Sequence, residues 1–133
     1  MAYTLEIGKK APDFNLLGTD NLFHDLASYS EYKLLIISFT CNHCPYVIGS
    51  DETTRKTVEK YNRESIKLVC INSNSKNTYE EDSFENMQAR MKEHQFPWDY
   101  LHDESQEIAT NYGALKTPHF FVFDSERSLI YTG

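Results

Sequence analysis

Two cysteines with two residues between them, Cys41 and Cys44, carry the most specific chemical signal in this 133-residue chain. They lie in Phe39-Thr40-Cys41-Asn42-His43-Cys44-Pro45. Thiol–disulfide exchange requires a thiolate, because a protonated thiol is a poor nucleophile. The run Leu34–Phe39 ahead of the pair is almost continuously apolar and β-branched in its middle, which predicts a strand buried on both faces. The stretch behind it, to about Asn62, predicts a helix. Cys41 is therefore expected just before a helix start, where orphan N–H groups and the positive end of the dipole lower a thiol pKa below its free value of about 8.5. Cys44 is expected one turn on, close enough to close a small disulfide ring. In that arrangement Cys41 attacks a substrate disulfide and Cys44 resolves the mixed disulfide. His43 and Pro45 adjoin the pair as candidate tuning residues. A protonated imidazole would favour the thiolate form, while the alternative for His43 is a plain loop histidine.

Other uses of the pair are less well supplied. A closed structural zinc site needs four ligands, and the sequence has one C-x-x-C. His24, His94, His102 and His119 show no paired spacing. Covalent haem is excluded because Cys44 is followed by Pro45 and not by His. Cys70 lies inside an apolar run and reads as a small core residue.

Thirteen basic against twenty acidic residues give a net charge of -7, spread without blocks, which argues against nucleic acid and anionic membrane as partners. No segment approaches the roughly 20 apolar residues that span a bilayer. Met1–Glu6 lacks the basic and apolar regions of a secretory signal. The expectation is a cytoplasmic protein, where thiols are kept reduced.

The remaining elements follow from periodicity and turn chemistry. Gly8–Leu26 predicts a short hairpin, turning around Gly18-Thr19-Asp20-Asn21. The first helix would face inward with Val47, Thr54, Val58 and Tyr61, and Gly49 with Ser50 would allow a kink. Ile66–Ile71 predicts a second strand. A helix over about 82–94 follows, with Asp82 as N-cap and Phe84, Met87 and Met91 facing the core. Asp99–Leu101 predicts a short strand, and Asp103 is expected to cap a helix that buries Ile108, Ala109 and Tyr112 and ends at Gly113. Phe120–Phe123 and Leu129–Tyr131 predict two final strands. Strands alternating with helices imply one domain with a mixed central sheet flanked by helices. The cysteine pair falls at the carboxyl edge, where such sheets collect their sites. Thr117-Pro118 opens the strand at Phe120, and a proline there fits a strand start or an edge.

This constellation resembles the thioredoxin-fold superfamily, and within it a peroxiredoxin-like branch related to the alkyl hydroperoxide reductase and thiol-specific antioxidant group. The branch shows Ala-Pro-Asp-Phe near its start, here Ala11–Phe14, and Phe-x-Cys-Asn-His-Cys-Pro-Tyr-Val, here Phe39–Val47. It also shows Asp-Ser-Phe-Glu-x-Met, Tyr-Leu-x-Asp-Glu-Ser-Gln and Thr-Pro-x-Phe-Phe-Val-Phe-Asp, here Asp82–Met87, Tyr100–Gln106 and Thr117–Asp124. The resemblance implies that Cys41 is the exposed nucleophile, Cys44 the buried resolving cysteine, Pro118 a cis-proline beside the disulfide, and Thr117 a backbone docking point for a bound peptide.

The chain departs from its relatives at three places. The buried carboxylate that thioredoxin carries six residues before its first active cysteine is Leu35 here. True peroxiredoxins place a proline and a hydroxyl residue seven and three positions ahead of the reactive cysteine, and these positions are Leu34 and Ser38. Relatives continue for several tens of residues past Tyr131-Thr132-Gly133, with a helix over one sheet face.

The expectation is thus an α/β thioredoxin-like fold over residues 1–133, with an N-terminal hairpin and a C-terminus lacking the family's last helix. A homodimer would cover the face that helix leaves. The expected activity is a thiol–disulfide oxidoreductase acting on disulfide-containing proteins or small thiols, recharged by a thioredoxin- or glutathione-type reductant and needing no cofactor and no metal. Two alternatives stand beside it. One is a thiol peroxidase working through a Cys41 sulfenic acid, and the other a non-enzymatic metal-binding or redox-silent interaction module.

Overall fold

The apolar run at Leu34 becomes the central strand of a seven-stranded mixed sheet. The computed structural model describes residues 4–40, 45–61, 65–73, 83–114 and 118–133, with 45–51 and 61 described by backbone alone. In chain order the strands are β1 (Asn15–Gly18), β2 (Phe23–Asp25), β3 (Leu34–Thr40), β4 (Ile66–Asn72), β5 (Asp99–His102), β6 (His119–Phe123) and β7 (Leu129–Thr132). The helices are α1 (Pro45–Tyr61), α2 (Phe84–His94) and α3 (Glu107–Tyr112), with a short 3-10 turn at Leu26–Tyr29.

The strands lie in the order β2-β1-β5-β4-β3-β6-β7. β3 runs parallel to β4, and β4 to β5, while β6 is antiparallel to both β3 and β7. The predicted hairpin forms and joins the same sheet, because β1 pairs antiparallel with β5.

Alternating side chains divide the sheet into two cores. On one face Leu35, Ile37 and Phe39 pack with Phe121 and Phe123 beneath Tyr112 of α3. Phe39 lies 5.5 Å from the Tyr112 ring and 5.8 Å, edge-on, from Phe121. The Tyr112 hydroxyl donates to the Pro12 carbonyl at 2.6 Å, pinning the N-terminal segment over this face. On the other face Leu68 and Cys70 pack with Met87 of α2, Trp98 and Tyr100, and Val58 of α1 lies against them. Cys70 is buried there, as a core residue should be. Arg55 of α1 and Arg90 of α2 each set a guanidinium 5.0 Å from the Phe96 ring centre, joining the two helices through cation–π contacts.

Two helix starts differ from expectation. The N-cap of α2 is Ser83, whose side chain accepts the Asn86 N–H; the expected cap, Asp82, lies outside the described residues. The residue before α3 is Gln106 in a left-handed conformation (φ 64°), and its side chain makes no cap. Asp103 reaches in from further back, accepting the N–H groups of Ile108 and Ala109 at 3.3 and 2.9 Å. It serves the expected purpose from outside the cap position. The first helix is continuous through Gly49 and Ser50.

Candidate active site

β3, β4 and β5 are parallel, so their carboxyl ends share one edge of the sheet, and the antiparallel β6 brings its amino end there. Thr40 of β3 pairs with Asn72 of β4, and His102 of β5 also faces Asn72. His119, at the head of β6, pairs with Phe39. Pro118 is half-buried and immediately precedes that strand, where its missing N–H costs no ladder bond.

This edge is where the fold buries polarity. Among the described residues the buried polar or charged side chains are Ser38, Thr40, Asn72, Asp103 and His119, and all lie at the edge or within two residues of it. Asn72, Asp103 and His119 have partners within hydrogen-bond distance, while His102 Nε2, buried at the same edge, has no hydrogen-bond partner among the described residues. Asn72 donates through Nδ2 to the Tyr100 hydroxyl at 3.1 Å. Ser73 donates its hydroxyl to Asp103 Oδ2 at 2.7 Å. His119 Nε2 stands 3.0 Å from Thr132 Oγ1.

Of the residues that the sequence nominates, Cys41, His43, Cys44 and Thr117 lie outside the described residues. In the chain, the four residues Cys41–Cys44 fall between the last residue of β3, Thr40, and the first of α1, Pro45. Pro45 supplies the backbone of a first helical turn, a position that suits proline because its N–H would be an orphan. A 17-residue helix starting there directs its positive end toward the preceding residues. Leu35, at the position of the thioredoxin carboxylate, is fully buried opposite Phe123.

The sequence named Asp103 as a helix cap but did not mark Asn72 and His119 as residues also buried at this edge. A signal did exist for His119. Counted in twos from Phe123 and Phe121, it falls on the inward side of β6, whose burial alternates along the strand. No group of three or more His, Cys, Asp or Glu suited to a metal occurs among the described residues.

A second charged cluster lies at the hairpin, away from this edge. His24 Nε2 is 3.0 Å from Asp20 Oδ2, and the Tyr29 hydroxyl donates to Asp99 at 2.8 Å. Burial works against the Asp20 carboxylate, but the His24 hydrogen bond and the Leu22 N–H outweigh it and lower its pKa. Burial and the adjacent Asp99 charge push the Tyr29 phenol well above its usual range. The cluster secures β2 and the following turn against β5.

The whole arrangement recurs in known structures. A hypothetical protein from Sinorhizobium meliloti 1021 superposes with a TM-score of 0.94 at 34% identity, over 98% of this chain and 72% of that one. An uncharacterized conserved protein from Geobacillus kaustophilus gives 0.93 at 36% identity, over 96% and 68%. The thioredoxin domain of a thiol-disulfide oxidoreductase from Bacteroides vulgatus gives 0.81 at 14% identity, over 97% and 89%, a likeness of fold. The fold is thus thioredoxin-like. No curated protein matches the sequence. Residues 6–133 match the family described as Redoxin, and the chain therefore belongs to the redoxin family, whose chemistry is thiol-based redox.

Proposed function

We propose that this chain is a thiol–disulfide oxidoreductase of the peroxiredoxin-like branch, cycling Cys41 and Cys44 between dithiol and disulfide. The observation that carries the reading is the junction itself. The C-x-x-C occupies the gap between a buried central strand ending at Thr40 and a helix beginning at Pro45, at the sheet edge where the buried polar side chains gather. Cys41 thiolate attacks a substrate disulfide, releasing one substrate thiol and forming a mixed disulfide. Cys44 then attacks the Cys41 sulfur, releasing the second substrate thiol. The substrate gains two electrons, and the protein leaves as the Cys41–Cys44 disulfide. Pro118, at the head of β6, marks the edge along which a peptide substrate docks. We place this chemistry in the cytoplasm, with a thioredoxin- or glutathione-type thiol as reductant.

The test is insulin reduction by the dithiol form, with mass mapping of the oxidised protein. Cys41→Ser is expected to abolish reduction, while Cys44→Ser retains attack and accumulates the mixed disulfide. Oxidised protein with Cys70 bridged to either cysteine would overturn the assignment, because Cys70 belongs to the second core. A thiol peroxidase is the second reading. Ser38, buried three residues before Cys41, supplies the hydroxyl at the peroxidatic spacing, although Leu34 stands in place of the proline. Peroxide consumption with a thiol recycler, faster than insulin reduction, would favour it.

A further inference from the structure

We propose that the open face of β6 and β7 is the docking surface for a second copy of this chain, giving a homodimer built sheet face to sheet face. The inference goes beyond the redox reading above and does not depend on it. What carries it is a gradient of burial along one row of the sheet. Leu68 of β4, Ile36 of β3, Val122 of β6 and Tyr131 of β7 are successive cross-strand partners, so their side chains share one face. Leu68 is 5% exposed, Ile36 and Val122 are half-buried, and Tyr131 is 56% exposed. On the other face the cross-strand partners Leu35, Phe123 and Leu129 are all fully buried, packed in one cluster with Leu5, Phe14 and Tyr112.

The cover over the open face stops at β3. Among the described residues, the cluster that α1 and α2 build with Leu68 takes in Ile36 at its margin and includes neither Val122 nor Tyr131. An apolar cavity lined by Ile36, Thr57, Val58, Ile66 and Leu68 marks that boundary, between α1 and the sheet.

Two properties select a second copy as the occupant. A two-fold interface brings one patch onto itself, so the patch must match itself in charge and in shape. A quarter of this chain is charged, with a net charge of -7, yet the row from Leu68 to Tyr131 holds no charged side chain, nor does the neighbouring pair Ser38 and Phe120. Two copies therefore meet there without the like-charge repulsion that so acidic a chain would otherwise meet in itself. A partner recognised by charge would find none in the row. Shape matches as well. Tyr131 stands out from β7 while the cavity beside Ile36 recedes, and a two-fold axis between them sets each copy's Tyr131 toward the other's cavity.

Pairing along the outer edge of β7 is a different arrangement, and this strand is poorly suited to it. The N-terminal segment already occupies part of that edge, with the Gly8 N–H donating to the Leu129 carbonyl at 2.8 Å and the Leu129 N–H to that of Lys9 at 2.9 Å. A register shift between Val122 and Phe123 twists the rest.

Sedimentation velocity of the 133-residue chain, kept in excess thiol so that no intermolecular disulfide forms, tests the proposal over a dilution series. A mass twice 15.5 kDa that falls on dilution is expected. A monomer mass at every concentration up to about 0.1 mM overturns the proposal and leaves the face to an element outside these 133 residues. Tyr131→Glu sets two like charges in the interface and is expected to raise the dissociation constant by about tenfold or more, with the far-ultraviolet circular dichroism unchanged. If that variant does not fold, Tyr131→Ala replaces it, deleting the ring without adding a charge. Phe23→Glu, 66% exposed on β2 at the opposite edge of the sheet, is expected to leave the dimer intact. A dimer that survives the Tyr131 variant, or that Phe23→Glu dissolves, lies on another surface and overturns the proposal.

Discussion

At the scale of single residues, the two histidines set in defined partnerships do different work. His24 is partly buried and bonds Asp20 at the hairpin tip, where it holds β2 in place. The depressed pKa of Asp20 fixes the sign of its contribution. An acid that is stronger in the folded state stabilises the protein above its unfolded pKa of about 3.9, and that stability disappears as pH falls through the folded value. Asp20→Asn is therefore expected to lower the denaturation midpoint at pH 7, by a small amount because the carboxylate lies half in solvent. The gap to wild type should close as the pH is lowered toward 3. A gap that stays constant with pH would contradict an ionic origin. His119 differs in being buried, stacked on Phe121 and set at the head of the strand that pairs with β3.

At the scale of elements, α3 shows how loop residues hold a helix against the site. Its six residues are too few to be stable alone, and its N-terminal residue offers no cap. Asp103 supplies that cap and ties Ser73, just past the end of β4, to the same carboxylate. Asp103→Ala would leave two helix N–H groups and a hydroxyl without their acceptor, and is expected to cost about 2–3 kcal/mol in guanidinium denaturation. Ser73→Ala removes only one donor and should cost about 1 kcal/mol or less. Equal losses for the two variants would show that the cap contributes nothing. The Asp103 role was legible only in part. The acid three residues ahead of a helical pattern was visible, but a left-handed Gln106 between them was not, since nothing local favours that conformation in glutamine.

At the scale of the molecule, the sheet is strongest at its centre. β3 and β4 are each seven residues long and paired on both sides, whereas β2 and β7 are short strands at the two edges. Backbone amides of β3 and β4 should exchange slowest in native-state hydrogen exchange, and those of β2 and β7 faster by orders of magnitude. Slow exchange at β7 matching that of β3 would show that this edge is covered in solution. The proposed exchange chemistry fits this centre, because in the chain the Cys41–Cys44 segment joins β3 directly to α1.

The sequence by itself determined the order of elements, the buried central strand, the helix after the C-x-x-C and the inward faces of α2 and α3, because each follows from local periodicity and turn chemistry. It also nominated Cys41 and Cys44, through their spacing and their place between a buried strand and a helix start. Tertiary structure decided which strands meet. The antiparallel pairing of β1 with β5 and the arrival of β6 beside β3 join residues some 80 positions apart, and no local pattern encodes them. The β6–β3 pairing turns His119 from an isolated histidine into a neighbour of the strand that leads to Cys41, and the parallel pairing of β3, β4 and β5 gathers Thr40, Asn72 and Asp103 at one edge. Burial of polar groups is a property of assembled strands, so it became visible only once they were placed side by side.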